Sequence, residues 1–235
     1  MDRVQEARGE QLTRPLVIAH RGASGYAYEN SPTAFGEAVV RGADGVELDV
    51  HSTADGGIVV HHDPVLTGGS PLDSLTLAEA TAAVLPNGEP VPSLATALKL
   101  IGDRDVWIEV KALPPEHDIA LLATMDAGPF PARYAVHSFD HRITARLRQR
   151  RPDLPLGALL AARVVDPAGV LRLAGATTLW QEWTMIDQEL VDDVHAAGAR
   201  LIAWTVNDRV AAARLGRMGV DGLCGNFPDR LAVAA

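Results

Sequence analysis

The sequence predicts an α/β protein folded as a single-domain (β/α)8 TIM barrel. Three observations carry this. From Leu16 onward, eight short apolar runs rich in strand-forming residues alternate with stretches of helical periodicity. Such alternation calls for a parallel sheet with helices packed on it, and eight repeats are enough to close it. The chain has 235 residues, 47% of them hydrophobic, which suits one domain with a large core. The rival arrangement is a doubly wound open sheet. No Gly-x-Gly-x-x-Gly follows the run at 16–19, which counts against the dinucleotide-binding version of that rival.

Residues 1–15 are polar and are expected to form an N-terminal arm, with the barrel domain over 16–235. Strands are expected near 16–19, 44–50, 106–110, 133–137, 156–160, 177–180, 200–205 and 220–224. Helices are expected near 31–41, 116–126, 140–150, 166–174, 187–198, 207–217 and 227–233. Ser31-Pro32, Asp140, Asp166-Pro167, Asp187 and Asn207 stand where N-caps or first-turn residues belong. Gly42 and Gly198 follow apolar-periodic runs and suit helix C-termini. The segment 51–105 breaks the β-then-α repeat. It holds a hairpin, a Gly/Pro/Ser-rich patch at 64–74 and two further helical stretches near 75–84 and 93–102.

The hairpin brings chemistry together. From Gly45 to His51 the residues alternate, so Glu47, Asp49 and His51 share one face and Val46, Leu48 and Val50 the other. Ala54-Asp55-Gly56-Gly57 is a turn signal, and Ile58-Val59-Val60 is the returning run. That return carries His62 back toward the end of the strand bearing Glu47 and Asp49. His20 closes the run 16–19 and lies at a strand tip too. Glu109 and Lys111 share a face of the run 106–110 in the same way. Strands of a parallel barrel are normally apolar on both faces, so charged residues at these positions call for a reason. Isolated, each could be a solvated or ion-paired strand end. Three carboxylates on two adjacent strand tips, flanked by two histidines, point instead to a metal-assisted acid–base site. Carboxylate oxygens favour Mg²⁺ or Ca²⁺, with Mn²⁺ next, over Zn²⁺.

Composition removes several classes. A formal net charge of −9 is a poor match to sequence-independent nucleic-acid binding. It also repels a phosphodiester at long range, so a phosphate site needs local cations, which Arg21, Lys111 and a metal could supply. The single Cys224 excludes an intrachain disulfide framework. With no apolar core of signal-peptide type at the start, and no segment near the ~20 apolar residues of a membrane span, a cytoplasmic protein without stable membrane insertion is expected. Oligomeric state is not legible. His117, His141 and His195 read as ordinary surface or core residues, His61 points away from His62, and His51 is at most a support for the site.

The ordered motifs His20-Arg21-Gly22, Glu29-Asn30, Glu47-Leu48-Asp49, Asp55-Gly56 and His62-Asp63 resemble the pattern of the glycerophosphodiester phosphodiesterase family. Val91-Pro92-Ser93-Leu94, Trp107-Ile108-Glu109-Val110-Lys111, Ala203-Trp204-Thr205-Val206-Asn207 and Gly219-Val220-Asp221-Gly222 extend the resemblance to about residues 16–231. It implies metal-dependent hydrolysis of a small-molecule glycerophosphodiester to glycerol 3-phosphate and an alcohol. It implies one divalent cation on Glu47, Asp49 and Glu109, with His20 and His62 as general acid and base in an order left open. Arg21, Lys111 and Trp204 are then the expected substrate contacts. Gly225-Asn226-Phe227-Pro228 departs from the family's usual Thr-Asp-x-Pro without removing an expected ligand. A related lipid phosphodiesterase or a catalytically silent phosphoester-binding barrel are the rival readings. With 5% aromatic residues, the sequence shows no obvious apolar apron for a lipid.

Overall fold

The computed structural model describes residues 14–232, so the arm expected over 1–15 lies almost wholly outside the described residues. The strands are β1 Leu16–His20, β2 Gly45–Ser52, β3 Ile58–Val60, β4 Asp105–Ala112, β5 Tyr134–Ser138, β6 Leu156–Leu160, β7 Thr178–Glu182, β8 Arg200–Trp204 and β9 Gly222–Gly225. The helices are α1 Pro32–Val40, α2 Leu77–Ala82, α3 Leu94–Ile101, α4 Asp118–Asp126, α5 His141–Arg150, α6 Pro167–Ala174, α7 Gln188–Ala196, α8 Arg209–Met218 and α9 Pro228–Leu231. Every strand pair around the ring β1-β2-β4-β5-β6-β7-β8-β9 is parallel, and β9 closes onto β1. The (β/α)8 TIM barrel expected from the alternation is therefore the fold. Strand β3 stands outside the ring, antiparallel to β2 with His51 opposite Val59, as the hairpin reading requires.

Strand periodicity sorts the core into two layers. Ile18, Trp107, Ala135, Leu159, Trp180, Ile202 and Cys224 point inward and fill the barrel. The alternate residues face the helices. Val46, Leu48 and Val50 pack with Phe35, Ala97 and Leu98 on one side, and Leu179, Leu201 and Leu223 with Leu190, Val194 and Leu215 on the other. Buried on both faces, these strands read as near-continuous apolar runs, so the inward polar residues stand out.

The helix starts follow the caps, with one correction. Ser31, Asp140, Asp166 and Asp187 accept backbone N–H groups of the first turn. The cap expected at Asn207 is Asp208 instead, whose carboxylate accepts from the Ala211 N–H. Asn207 is engaged elsewhere, accepting from the Asn226 N–H across the barrel mouth at 2.8 Å. Asn30, just before the Ser31 cap, ties instead to the loop after β1, its N–H donating to the Arg21 carbonyl at 2.9 Å. It is buried in the left-handed region, φ 56°, and its side chain turns inward to β2. β2 and β4 run two residues further than the expected 44–50 and 106–110, because each pairs with the other, register shift included, as far as His51 opposite Ala112. This carries Glu47, Asp49, Glu109 and Lys111 on regular strand rather than on loose ends.

Candidate active site

The registers at the C-terminal end of the barrel bring the polar residues to matching heights. His20 lies opposite Glu47 across β1 and β2. Asp49 lies opposite Glu109 across β2 and β4, and Glu109 opposite His137 across β4 and β5. Cross-strand neighbours point to the same face, so these side chains converge inside the mouth. The turn after β1 adds backbone donors. Arg21 and Gly22 both have positive φ, and a Cβ on Gly22 would come within 2.6 Å of the Ala34 backbone. In this tight turn the Arg21 N–H donates to Glu47 Oε2 at 2.9 Å.

Asp49 is the most enclosed of the three carboxylates here. Its Oδ2 accepts from Asn30 Nδ2 at 2.8 Å and lies 3.1 Å from Arg21 Nε. Its Oδ1 lies 2.9 Å from Lys111 Nζ, which also lies 2.5 Å from Glu109 Oε1. Burial alone would raise its pKa, but Lys111 and Arg21 outweigh burial and hold it at about 2. The same burial, reinforced by the charge of Asp49, pushes Glu47 up to about 7. Burial together with Asp49 and Glu47 pushes Glu109 up to about 7. Three carboxylates thus face two side-chain cations, Lys111 and Arg21, which leaves the group short of positive charge.

The donor set fits a divalent cation. One ligand atom each of Glu47, Glu109 and His137 lies within 4.8 Å of the others, and all three residues are buried. Glu47 Oε1 and both ring nitrogens of His137 are buried without a hydrogen-bond partner. Asp49, expected from the sequence beside Glu47 and Glu109, is next to this group but turned onto Arg21, Asn30 and Lys111.

The other expected residues meet around one cleft of about 410 Å³ open to solvent. His20, Arg21, Glu47, His62, Glu109, Lys111 and Trp204 all line it. His20 Nδ1 is 2.8 Å from Asn226 Oδ1, so with a proton on Nδ1 the Nε2 lone pair is left for substrate. His62 Nδ1 is 2.8 Å from Asp63 Oδ1, and His51 Nε2 meets the His62 carbonyl at 3.0 Å, which braces the loop. Arg21 is steadied by Glu29 at 2.8 Å. Trp204 packs edge-on against Phe139 at 5.4 Å. With Leu159 and Trp180 these two make an apolar wall that the low aromatic content did not announce.

Sequence reasoning missed His137 and Asn226. His137 is the polar residue in the run Tyr-Ala-Val-His-Ser and shares inward parity with Ala135. That parity was available as a signal. Its place beside Glu109 was not, because the β4–β5 register is a tertiary fact. Asn226 reaches His20 from the far end of the chain.

The profile of the Glycerophosphoryl diester phosphodiesterase family matches residues 20–230. A glycerophosphodiester phosphodiesterase of Caldanaerobacter subterraneus subsp. tengcongensis is 33% identical over 234 residues, covering 93% of this chain and 96% of that protein. A glycerophosphodiester phosphodiesterase of Bacillus subtilis is 28% identical, covering 92% and 85%. Among solved structures, an Oleispira antarctica phosphodiesterase in complex with the product sn-glycerol-3-phosphate superposes with a TM-score of 0.87 at 26% identity, covering 93% of this chain and 95% of that one. A match running from His20 to Arg230, and a relative one-third identical over nearly the whole length, make this chain a phosphoric diester hydrolase belonging to the glycerophosphoryl diester phosphodiesterase family.

Proposed function

We propose that the protein hydrolyses glycerophosphodiesters to sn-glycerol 3-phosphate and an alcohol, using a divalent cation and two histidines. The observation that carries the reading is the meeting of His20 and His62 with Glu47 and Glu109 in one cleft. The product-bound Oleispira structure supports the glycerol phosphate half. Glu47 and Glu109 would hold the cation, an ion of the Mg²⁺, Ca²⁺ or Mn²⁺ kind, and Asp49, the third expected ligand, would join them once an oxygen turns from Lys111. When bound, it supplies positive charge to polarise the phosphoryl oxygens and favour an ionised nucleophile.

The chain's own groups do the rest. Lys111 and Arg21 offer positive charge to the phosphate, fixed in place by Asp49, Glu109 and Glu29. One histidine takes the proton of the attacking hydroxyl; if that is water the product is glycerol 3-phosphate directly, and if it is the glycerol 2-hydroxyl the alcohol leaves first and water then opens the resulting cyclic phosphate to glycerol 3-phosphate. The other gives a proton to the alcohol oxygen as its bond to phosphorus breaks. Trp204 borders the carbon skeleton of the substrate. Residues 16–235 form the catalytic domain in this account. Among the described residues no helix is long and apolar enough to cross a membrane. A cytoplasmic location belongs to the same proposal.

The apolar wall with half-exposed Phe139 gives the lipid reading one observation of its own. Assay of glycerophosphocholine, glycerophosphoethanolamine and glycerophosphoglycerol against lysophospholipids separates the two. The proposal expects glycerol 3-phosphate from all three deacylated substrates. Turnover of lysophospholipids alone would replace it with the lipid reading.

A further inference from the structure

The His137 ring is held tightly for a residue that makes no hydrogen bond. It is 1% exposed, and both nitrogens lack partners. Trp180 meets it edge to face at 4.1 Å, and Trp107 lies nearly parallel at 6.4 Å. The room for this packing comes from Gly157. A Cβ there would come within 2.9 Å of Trp180 and 3.0 Å of the His137 Cβ. Leaving a buried polar group unsatisfied costs about 1–3 kcal/mol, and an aromatic such as Phe would fill this space without that penalty. The ring is aimed, moreover, at the carboxylates. Its Nε2 lies 3.8 Å from Glu47 Oε1, too long for a hydrogen bond. Two atoms bound to one ion at about 2.1 Å stand roughly 3.0–4.2 Å apart, so this gap is one that an ion spans.

We infer that His137 is a nitrogen ligand of the cation held by Glu47 and Glu109, making the site a mixed imidazole–carboxylate centre that favours Mn²⁺ and its transition-metal neighbours over Ca²⁺ and Mg²⁺. The inference rests on the metal-dependent reading above and narrows the class of ion. An imidazole nitrogen is a softer donor than a carboxylate oxygen, and affinity for such donors rises along the first transition row, whereas the alkaline-earth ions gain little from it. The barrel supplies the geometry, because Glu109 and His137 are direct cross-strand partners.

The test uses Mn²⁺ itself as the probe on the full chain. Electron spin echo modulation of the Mn²⁺-loaded wild-type protein should show the nitrogen coupling of a directly bound imidazole, a readout independent of turnover and of any variant. That coupling should vanish in His137→Gln and persist in His20→Gln. Mn²⁺ affinity of His137→Gln should fall at least about tenfold, the scale on which even residues that merely orient a ligand act, while Ca²⁺ affinity stays within about threefold. Mn²⁺ binding that Glu109→Gln weakens, but with no nitrogen coupling in the wild type, overturns the inference and leaves the carboxylate site standing. Mn²⁺ that binds nowhere, or binds with no sensitivity to Glu109→Gln, overturns the metal reading beneath it.

Discussion

Replacing Glu109 with Gln should change stability in opposite directions with and without a metal. In the metal-free protein, burial and the neighbouring charges of Asp49 and Glu47 lift Glu109 from 4.5 to about 7. At about pH 8, where Glu109 is ionised both folded and unfolded, that rise corresponds to about 3 kcal/mol against the folded state. The value already contains the attraction of Lys111, which lies 2.5 Å from Glu109 Oε1. Gln keeps the shape and drops the charge. Because Glu47 shares the repulsion, the gain assignable to one residue is about 1–3 kcal/mol, or roughly 2–10 °C in melting temperature for a chain of this size. With cation present the order should reverse. An ion at one hundred times its dissociation constant stabilises the wild type by about 2.7 kcal/mol, and the variant, short of one ligand, gains much less. Calorimetry in chelator and then in excess Mg²⁺ or Mn²⁺ reads both signs. A variant that is destabilised equally in both conditions would refute the reasoning, and would make Glu109 a plain ion-pair partner of Lys111.

Other outcomes follow from the same site. His20→Ala and His62→Ala should each lower turnover about 10²–10⁴-fold with metal affinity nearly unchanged, as isothermal titration alongside kinetics will show. Lys111→Ala should chiefly raise KM, since an ammonium cannot ligate a metal; a pure loss of kcat would move it into the chemical step. The metal-free wild type should lose stability as pH rises from about 4.5 to about 7, because two carboxyls whose folded pKa values are raised bind more protons folded than unfolded in that window. Saturating cation should flatten that slope, and a slope unaffected by metal would contradict the shared site.

Much of the site was legible because barrel strands are otherwise apolar. Glu47, Asp49, Glu109 and Lys111 break that rule at positions two apart, and the period of a strand puts each pair on one face. His62 was legible through the turn at 54–57, which sends β3 back along β2. What stayed hidden depended on contacts between distant segments. The β4–β5 register sets His137 beside Glu109, and no local pattern encodes it. Asn226 meets His20 across 206 positions of sequence. The division of labour among the carboxylates was hidden for the same reason. From the strand alone Asp49 and Glu47 are equivalent, yet Asn30, Arg21 and Lys111 close on Asp49 and leave Glu47 Oε1 bare. Helix starts were readable where a side chain reaches its own first turn, and failed at Asn207, whose side chain serves Asn226 instead.

The central claim is metal-dependent phosphodiester hydrolysis at the mouth formed by β1, β2 and β4. Its most direct test follows sn-glycerol 3-phosphate released from glycerophosphocholine by the purified protein, first as loaded, then in excess chelator, then with divalent cation restored. The account predicts release, loss of release, and recovery in that order. Undiminished release in excess chelator would contradict it, as would the absence of release with every divalent cation tried.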